Sequence, residues 1–174
     1  MTSVMIRPAT ATDAPTIMAI IQQAKQLLAA DGIPQWQGAY PTQADIDRDI
    51  DRGYTYLLLA DHEAVGTATL FQEPDPNYAT IYDGAWQQHS SERYATIHRI
   101  AIAPGHSGAH LGDLFFSNLT SEAYRLGFRE MRIDTHANNA RMQHVLLKAG
   151  FTYSGIVRMD DDPTDLRNVY QLFL

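Results

Sequence analysis

With 174 residues, 45% of them hydrophobic, the chain can bury one sizeable core, and residues 1–174 read as a single domain. It contains no cysteine, which excludes disulfide frameworks, Cys-based zinc sites and thiol nucleophiles, and suits a reducing cytoplasm as the expected location. A formal net charge of −7 argues against nucleic acid as a partner. No run of about 18 apolar residues offers a membrane span, and the N-terminus lacks the apolar core of a secretion signal.

Val4 to Pro8 reads as a first strand. Thr12-Asp13 then caps a helix whose apolar residues Ile17, Ile20, Ile21, Ala24, Leu27 and Leu28 follow helical spacing. Gly32 to Pro41 breaks regularity with two glycines and two prolines, and a second helix runs from Gln43 to Arg52 behind the cap residue Thr42. Tyr54 to Ala60 and Ala64 to Phe71 form an antiparallel hairpin about the turn Asp61-His-Glu63. Tyr94 to Ala103 is a further strand, and Leu111 to Leu126 a helix stopped at Gly127. Glu130 to Thr135 is a strand, Asn139 to Lys148 a helix ended by Gly150, and Ile156–Met159 and Asn168–Leu174 are closing strands about the acidic turn Asp160–Asp165. Alternating helices and strands make the fold mixed α/β.

The segment Ile100-Ala-Ile-Ala-Pro-Gly-His-Ser-Gly-Ala-His-Leu-Gly-Asp-Leu-Phe-Phe116 carries most of the functional information. A strand passing through a glycine-rich turn into a helix leaves first-turn N–H groups without intrahelical acceptors, at the positive end of the helix dipole. That arrangement holds phosphate. The glycines stand at 105, 108 and 112, which does not match the spacing of a dinucleotide fingerprint, and Gly112 is followed by Asp113-Leu114 instead of the Lys-Ser/Thr of a P-loop.

Ile102-Ala-Pro104 with Ser107-Gly-Ala-His-Leu-Gly112, followed by Asn139-Ala-Arg-Met-Gln-His-Val-Leu-Leu-Lys-Ala-Gly-Phe151, resembles the GNAT superfamily of acetyl-CoA-dependent N-acetyltransferases. Ile6-Arg-Pro-Ala-Thr-x-x-Asp13 is similar to the family's first strand and helix start, so the likeness covers nearly the whole chain. It implies a mostly antiparallel, splayed sheet flanked by helices, with acetyl-CoA between the strand ending near Ala103 and the one ending near Thr135. Pantetheine would pair with the backbone of Ile100, Ala101 and Ile102. The pyrophosphate would rest on amides of Ser107, Gly108, Ala109, His110, Leu111, Gly112 and Asp113, and Asn139 matches a cofactor-contacting asparagine. Two residues depart from the family's turn: Ser107 stands where Arg or Gln is usual, with His106, Lys148 or Arg141 as replacements for the lost charge, and His110 stands where Gly is usual. A β-carbon at 110 is tolerable if that residue is already helical.

Acetyl transfer needs a neutral attacking amine, an acceptor for its proton, an acid for the departing thiolate and a donor for the oxyanion. The tyrosine that many relatives place four residues before the Gly-Phe pair is Leu146 here. His98, two residues beyond the Thr96 position where some relatives carry a glutamate base, and His136 at the end of the following strand are the candidate catalytic residues. Tyr153 and Tyr170 are weaker alternatives as acids. Trp36, Tyr40 and Trp86 are candidate walls for the amine, or simply packed aromatics. Asp45, Asp49 and Asp83 would favour a cationic acceptor if they face the cleft. His106 and His110, four apart, could face one another on a helix with Asp113 nearby, but no further ligand is in sight and no metal is expected. The expectation is direct transfer from acetyl-CoA to a primary amine, a small molecule favoured over a peptide amine. The alternative is a non-catalytic acyl-CoA-binding domain of the same fold. A homodimer is implied only by the resemblance.

Overall fold

The computed structural model describes residues 3–87, 93–106 and 110–174. Its strands are β1 (Val4–Pro8), β2 (Thr55–Ala60), β3 (Glu63–Phe71), β4 (Ala95–Ile102), β5 (Glu130–Thr135), β6 (Thr152–Arg158) and β7 (Leu166–Phe173). The helices are α1 (Ala14–Ala30), α2 (Gln43–Asp51), α3 (Leu111–Arg125) and α4 (Ala140–Lys148). The seven strands follow the order β1-β2-β3-β4-β5-β7-β6. Pairs β1–β2, β2–β3, β5–β7 and β6–β7 are antiparallel and β4–β5 is parallel, so the fold is the mixed, mostly antiparallel α/β class expected. Among the described residues no helix is long and apolar enough to cross a membrane.

The chain divides into two compact units, Met1–Leu70 with His98–Leu119 and Phe71–Ile97 with Thr120–Leu174. In the first, Thr10 and Asp13 close a capping box ahead of α1, and both nitrogens of the Arg7 fork donate to the Asp13 carboxylate at 2.8 Å. The Arg7 guanidinium holds that carboxyl well below the usual range. Ala14, Ile17 and Ile21 of α1 pack with Ile46 and Ile50 of α2 and Leu57 of β2. Thr42 and Asp45 form a second capping box, in which the Asp45 amide donates to the Thr42 hydroxyl at 3.2 Å and the Thr42 amide to the Asp45 carboxylate at 2.9 Å. The Ala103 amide donates to Val65 of β3 at 2.8 Å. Gly66 permits this approach, since a Cβ there would lie 3.1 Å from the Ala101 carbonyl oxygen.

In the second unit β4 pairs with β5 at Ala95↔Met131 and Thr96↔Arg132, and the β5–β7 ladder runs from Glu130↔Phe173 to Thr135↔Asn168. Its core joins Tyr78, Tyr94, Val157 and Val169, with Trp86 packed against it. β6 begins at Thr152, earlier than the expected Ile156, because a register shift between Tyr153 and Gly155 hides the alternation that sequence reading relies on. Tyr82 and Ile156 exchange backbone hydrogen bonds at 2.7 and 2.8 Å, which draws the segment around Gly84 against β6. A Cβ on Gly84 would sit 1.9 Å from the Ser154 carbonyl oxygen. Gly84→Ala must therefore displace backbone. It should cost about 1–3 kcal/mol and lower the melting temperature by roughly 3–10 °C, read by thermal circular dichroism.

Candidate functional site

β4 carries a backbone conformation that its sequence does not announce. Arg99, inside the strand, has φ 52°. A left-handed residue with a β-carbon costs about 1–2 kcal/mol, so its surroundings must hold it there. Arg99 is buried and forms an ion pair with Asp49, which is fully buried on the otherwise apolar face that α2 shares with Ile46 and Ile50. The Thr69 hydroxyl donates to the same Asp49 oxygen, Oδ2, at 3.2 Å. The Arg99 guanidinium carbon lies 5.1 Å from the centre of the Tyr40 ring. Burial pushes the Asp49 carboxyl above its ordinary value, against the pull of Arg99 and the Thr69 hydrogen bond. His98, Ile100 and Ile102 are half-buried, alternating with buried Arg99 and Ala101.

Beyond β4 the chain turns at Pro104 and Gly105, where φ is 90°. Ser107, Gly108 and Ala109 lie outside the described residues. His110 has φ 53°, so it is left-handed and not helical, contrary to the condition set for a β-carbon there. This is the conformation glycine adopts without penalty, and the usual family residue at this position is glycine. His106 and His110 therefore do not share a helix; the His110 Nδ1 instead lies 3.3 Å from the Asp113 carboxylate. α3 starts at Leu111, and the Leu114 amide donates to the His110 carbonyl at 3.1 Å. A Cβ on Gly112 would be 3.8 Å from the Ile102 side chain, so the helix start lies against the end of β4. Leu111, Gly112 and Asp113 supply the first-turn amides.

The loop with Trp36 and Tyr40 is tied to α1: the Lys25 ammonium donates to the carbonyls of Gly38 and Ala39 at 3.1 and 3.2 Å. Trp36 is half-buried with φ 63°, and Tyr40 is exposed. Asp45 and Asp49 do not supply a free negative field, because each is paired with an arginine, Arg48 and Arg99 respectively. Asp83 is exposed in the second unit.

Also in the second unit, His136 follows β5, and its Nδ1 accepts the Asn138 amide at 3.1 Å. The neutral ring then carries its proton on Nε2. Burial, reinforced by Arg167 and opposed by Asp165, lowers the His136 pKa. Asn139 caps α4, its Oδ1 accepting the Met142 amide at 3.1 Å. One turn on, Gln143 accepts the Tyr170 hydroxyl at 3.0 Å, and Tyr170 is almost fully buried with its pKa raised by desolvation. Leu146 is fully buried and Tyr153 exposed, edge-on to Tyr170 at 5.7 Å. Trp86 packs 5.8 Å from Tyr78, donates to the Tyr78 carbonyl at 3.0 Å and lies under Arg132 at 4.2 Å, contacts that fit the packing reading of this residue. Among the described residues no group of His, Asp and Glu gathers as a metal site.

Sequence reading overlooked Arg99. Its signals were a charge on the buried side of a strand and a carboxylate between two isoleucines of the α2 apolar face.

The sequence matches the Acetyltransferase (GNAT) family over residues 21–151, and the chain belongs to that family. It is accordingly an acyltransferase with acetyl-CoA as its donor. A GNAT-family acetyltransferase from Streptococcus agalactiae is 34% identical, with a TM-score of 0.90 over 98% of this chain and 95% of that one. A GNAT-family acetyltransferase from Listeria monocytogenes shares the fold at 18% identity and TM-score 0.76, over 98% and 95% of the two chains. So does the yncA protein of Salmonella typhimurium, solved with its cofactor acetyl-CoA, at 20% identity and TM-score 0.66 over 98% and 94%. Among curated proteins none matches by sequence.

The His136 environment can be checked by NMR titration. Its midpoint should lie below the ordinary 6.5, and Arg167→Met should raise it by removing a lowering charge. Because the folded value is depressed, the neutral ring's contribution to stability is complete above 6.5 and is lost as pH falls from there through the lower folded value. A midpoint at or above 6.5 would contradict the assigned environment.

Proposed function

We propose that the protein acetylates a primary amine carried by a small molecule, by direct attack of the amine nitrogen on the thioester carbonyl of acetyl-CoA. The observation that carries this reading is the run from β4 through a left-handed His110 into the first turn of α3, with Gly112 set against Ile102. In it, the backbone of Ile100, Ala101 and Ile102 pairs with pantetheine like an added strand. The amides from Ser107 to Asp113 receive the pyrophosphate, with the α3 dipole favouring its charge. Asn139, whose Oδ1 caps α4, is the further cofactor contact that the family likeness assigns.

The nitrogen–carbon bond forms as the carbon–sulfur bond breaks, and the electron pair leaves on sulfur. His98 takes the proton released by the amine. The hydrogen bond at Nδ1 of His136 leaves Nε2–H as a donor, which suits stabilising the carbonyl oxygen better than accepting a proton. Leu146 cannot protonate the thiolate, and water supplies that proton. Trp36 and Tyr40 are the aromatic surface offered to the acceptor. With Asp45 and Asp49 each paired with an arginine, shape and these rings favour the amine more than net charge does.

Calorimetry should show acetyl-CoA binding. Thiol release should then appear with small primary amines before it appears with a peptide N-terminus or a lysine side chain. His98→Ala should lower kcat by roughly 10²–10⁴-fold. Binding without thiol release across the whole panel would overturn the acceptor reading, and full activity of His98→Ala would remove that residue from proton transfer.

A further inference from the structure

We propose that the buried Asp49–Arg99 pair is a positioning clamp for acetyl-CoA, fixing the backbone turn that aims Ile100 to Ile102 at the pantetheine. It rests on the seating of pantetheine just described. Arg99 is left-handed at φ 52°, and the peptide it turns is the one that leads into Ile100. The orientation of that peptide sets where the next N–H and C=O groups point. An ordinary extended residue at 99 would aim them elsewhere.

The side chain supplies the restraint that holds this strained point. Its guanidinium is drawn to Asp49 on α2, and the Tyr40 ring lies 5.1 Å from it. Asp49 is itself held at both ends: Thr69 of β3 donates to its carboxylate at 3.2 Å, and its carbonyl accepts the Tyr54 amide at 2.9 Å. α2, β3 and the Tyr40 loop thus converge on one residue of the cofactor strand.

Stability alone gives little reason for such a pair. A buried ion pair is often matched or bettered by apolar side chains of similar size. This one is also incompletely satisfied, because Asp49 Oδ1 is buried without a hydrogen-bond partner. A residue pair of that kind is better explained by the geometry it enforces. Arg99 and Asp49 are positioning residues in this scheme and need not touch substrate.

The decisive comparison is the double variant Asp49→Leu with Arg99→Met, which removes both charges and leaves neither partner stranded. The double variant should fold with a melting temperature close to that of the unmodified protein. Its Kd for acetyl-CoA should rise about tenfold or more, the scale of one or two misaligned hydrogen bonds. KM for acetyl-CoA should rise in step, with a smaller change in kcat at saturating donor. A folded double variant with Kd within about twofold of the unmodified protein overturns the clamp. Should it not fold, Asp49→Asn keeps volume but removes the charge that holds Arg99, and its Kd is read in the same way: a clear rise supports the clamp and an unchanged value overturns it. If the unmodified protein does not bind acetyl-CoA, the seating of the cofactor fails instead, so the two failures are distinct.

Discussion

One constraint organises the first unit: a carboxylate taken completely out of water must meet a cation or lose its charge. Asp49 sits on the side of α2 that Ile46 and Ile50 bury, so the helix cannot dock without bringing the charge with it. Arg99 answers it from β4, and reaching that position goes with a left-handed backbone in mid-strand. The capping box of Thr42 and Asp45 fixes where α2 begins, Arg48 neutralises Asp45, and Tyr40 covers the guanidinium from the preceding loop. Aromatic surface, helix and strand geometry in this unit all refer back to one ion pair.

The second unit buries charge too, with a different outcome. Arg132 lies between the rings of Tyr94 and Trp86, at 3.8 and 4.2 Å, and donates to Glu130 at 2.7 Å. The same Glu130 oxygen accepts the Gln171 side-chain Nε2 at 2.7 Å, and the Gln171 side-chain Oε1 accepts the Gln87 backbone amide at 3.0 Å. Each polar group hands a hydrogen bond to the next, the arrangement expected of a network that specifies a core. Asp49, with one oxygen serving two donors and the other buried without a partner, is less economical. Burial of charge therefore has two uses in this chain, and the degree of satisfaction separates them.

The contrast also explains what the sequence made legible. Local rules surfaced readily: the stripe Ile17, Ile20, Ile21 marked α1, Thr42 marked the start of α2, and Gly127 and Gly150 marked left-handed helix ends with φ of 91° and 94°. Asn139, helical by its place in the sequence pattern, caps α4 from just outside it, a difference of a single position. What stayed hidden depends on partners far away in the chain. Asp49 and Arg99 are 50 residues apart, and nothing local ties a carboxylate on a helix to an arginine in a strand. Asp49, expected to favour a cationic acceptor if it faced the cleft, is paired with this distant arginine, whereas Asp45 is paired locally with Arg48. The His110 backbone is left-handed, a property that sequence shows plainly only when the residue is glycine. The first residues of β6 are hidden from the sequence pattern because a bulge takes their side chains out of period.

The absence of a tyrosine at 146 bears on the chemistry less than it first suggests. A thiol has a pKa of about 8.5, so expelling an unprotonated thiolate at pH 7 costs about 2 kcal/mol relative to the thiol. A well-placed general acid typically contributes 10²–10⁴-fold, and for a thiolate the share it can return lies toward the low end of that range. An alkoxide or amide leaving group would be far more demanding. Losing the acid is thus compatible with turnover, provided the tetrahedral oxygen is stabilised and the amine can shed its proton. The larger barrier terms then fall on position and on the oxyanion, where a pre-oriented donor outweighs a displaced acid. A neutral imidazole with Nδ1 engaged keeps its Nε2–H as a donor, as the role proposed for His136 requires, and the fully buried Leu146 has no proton to give.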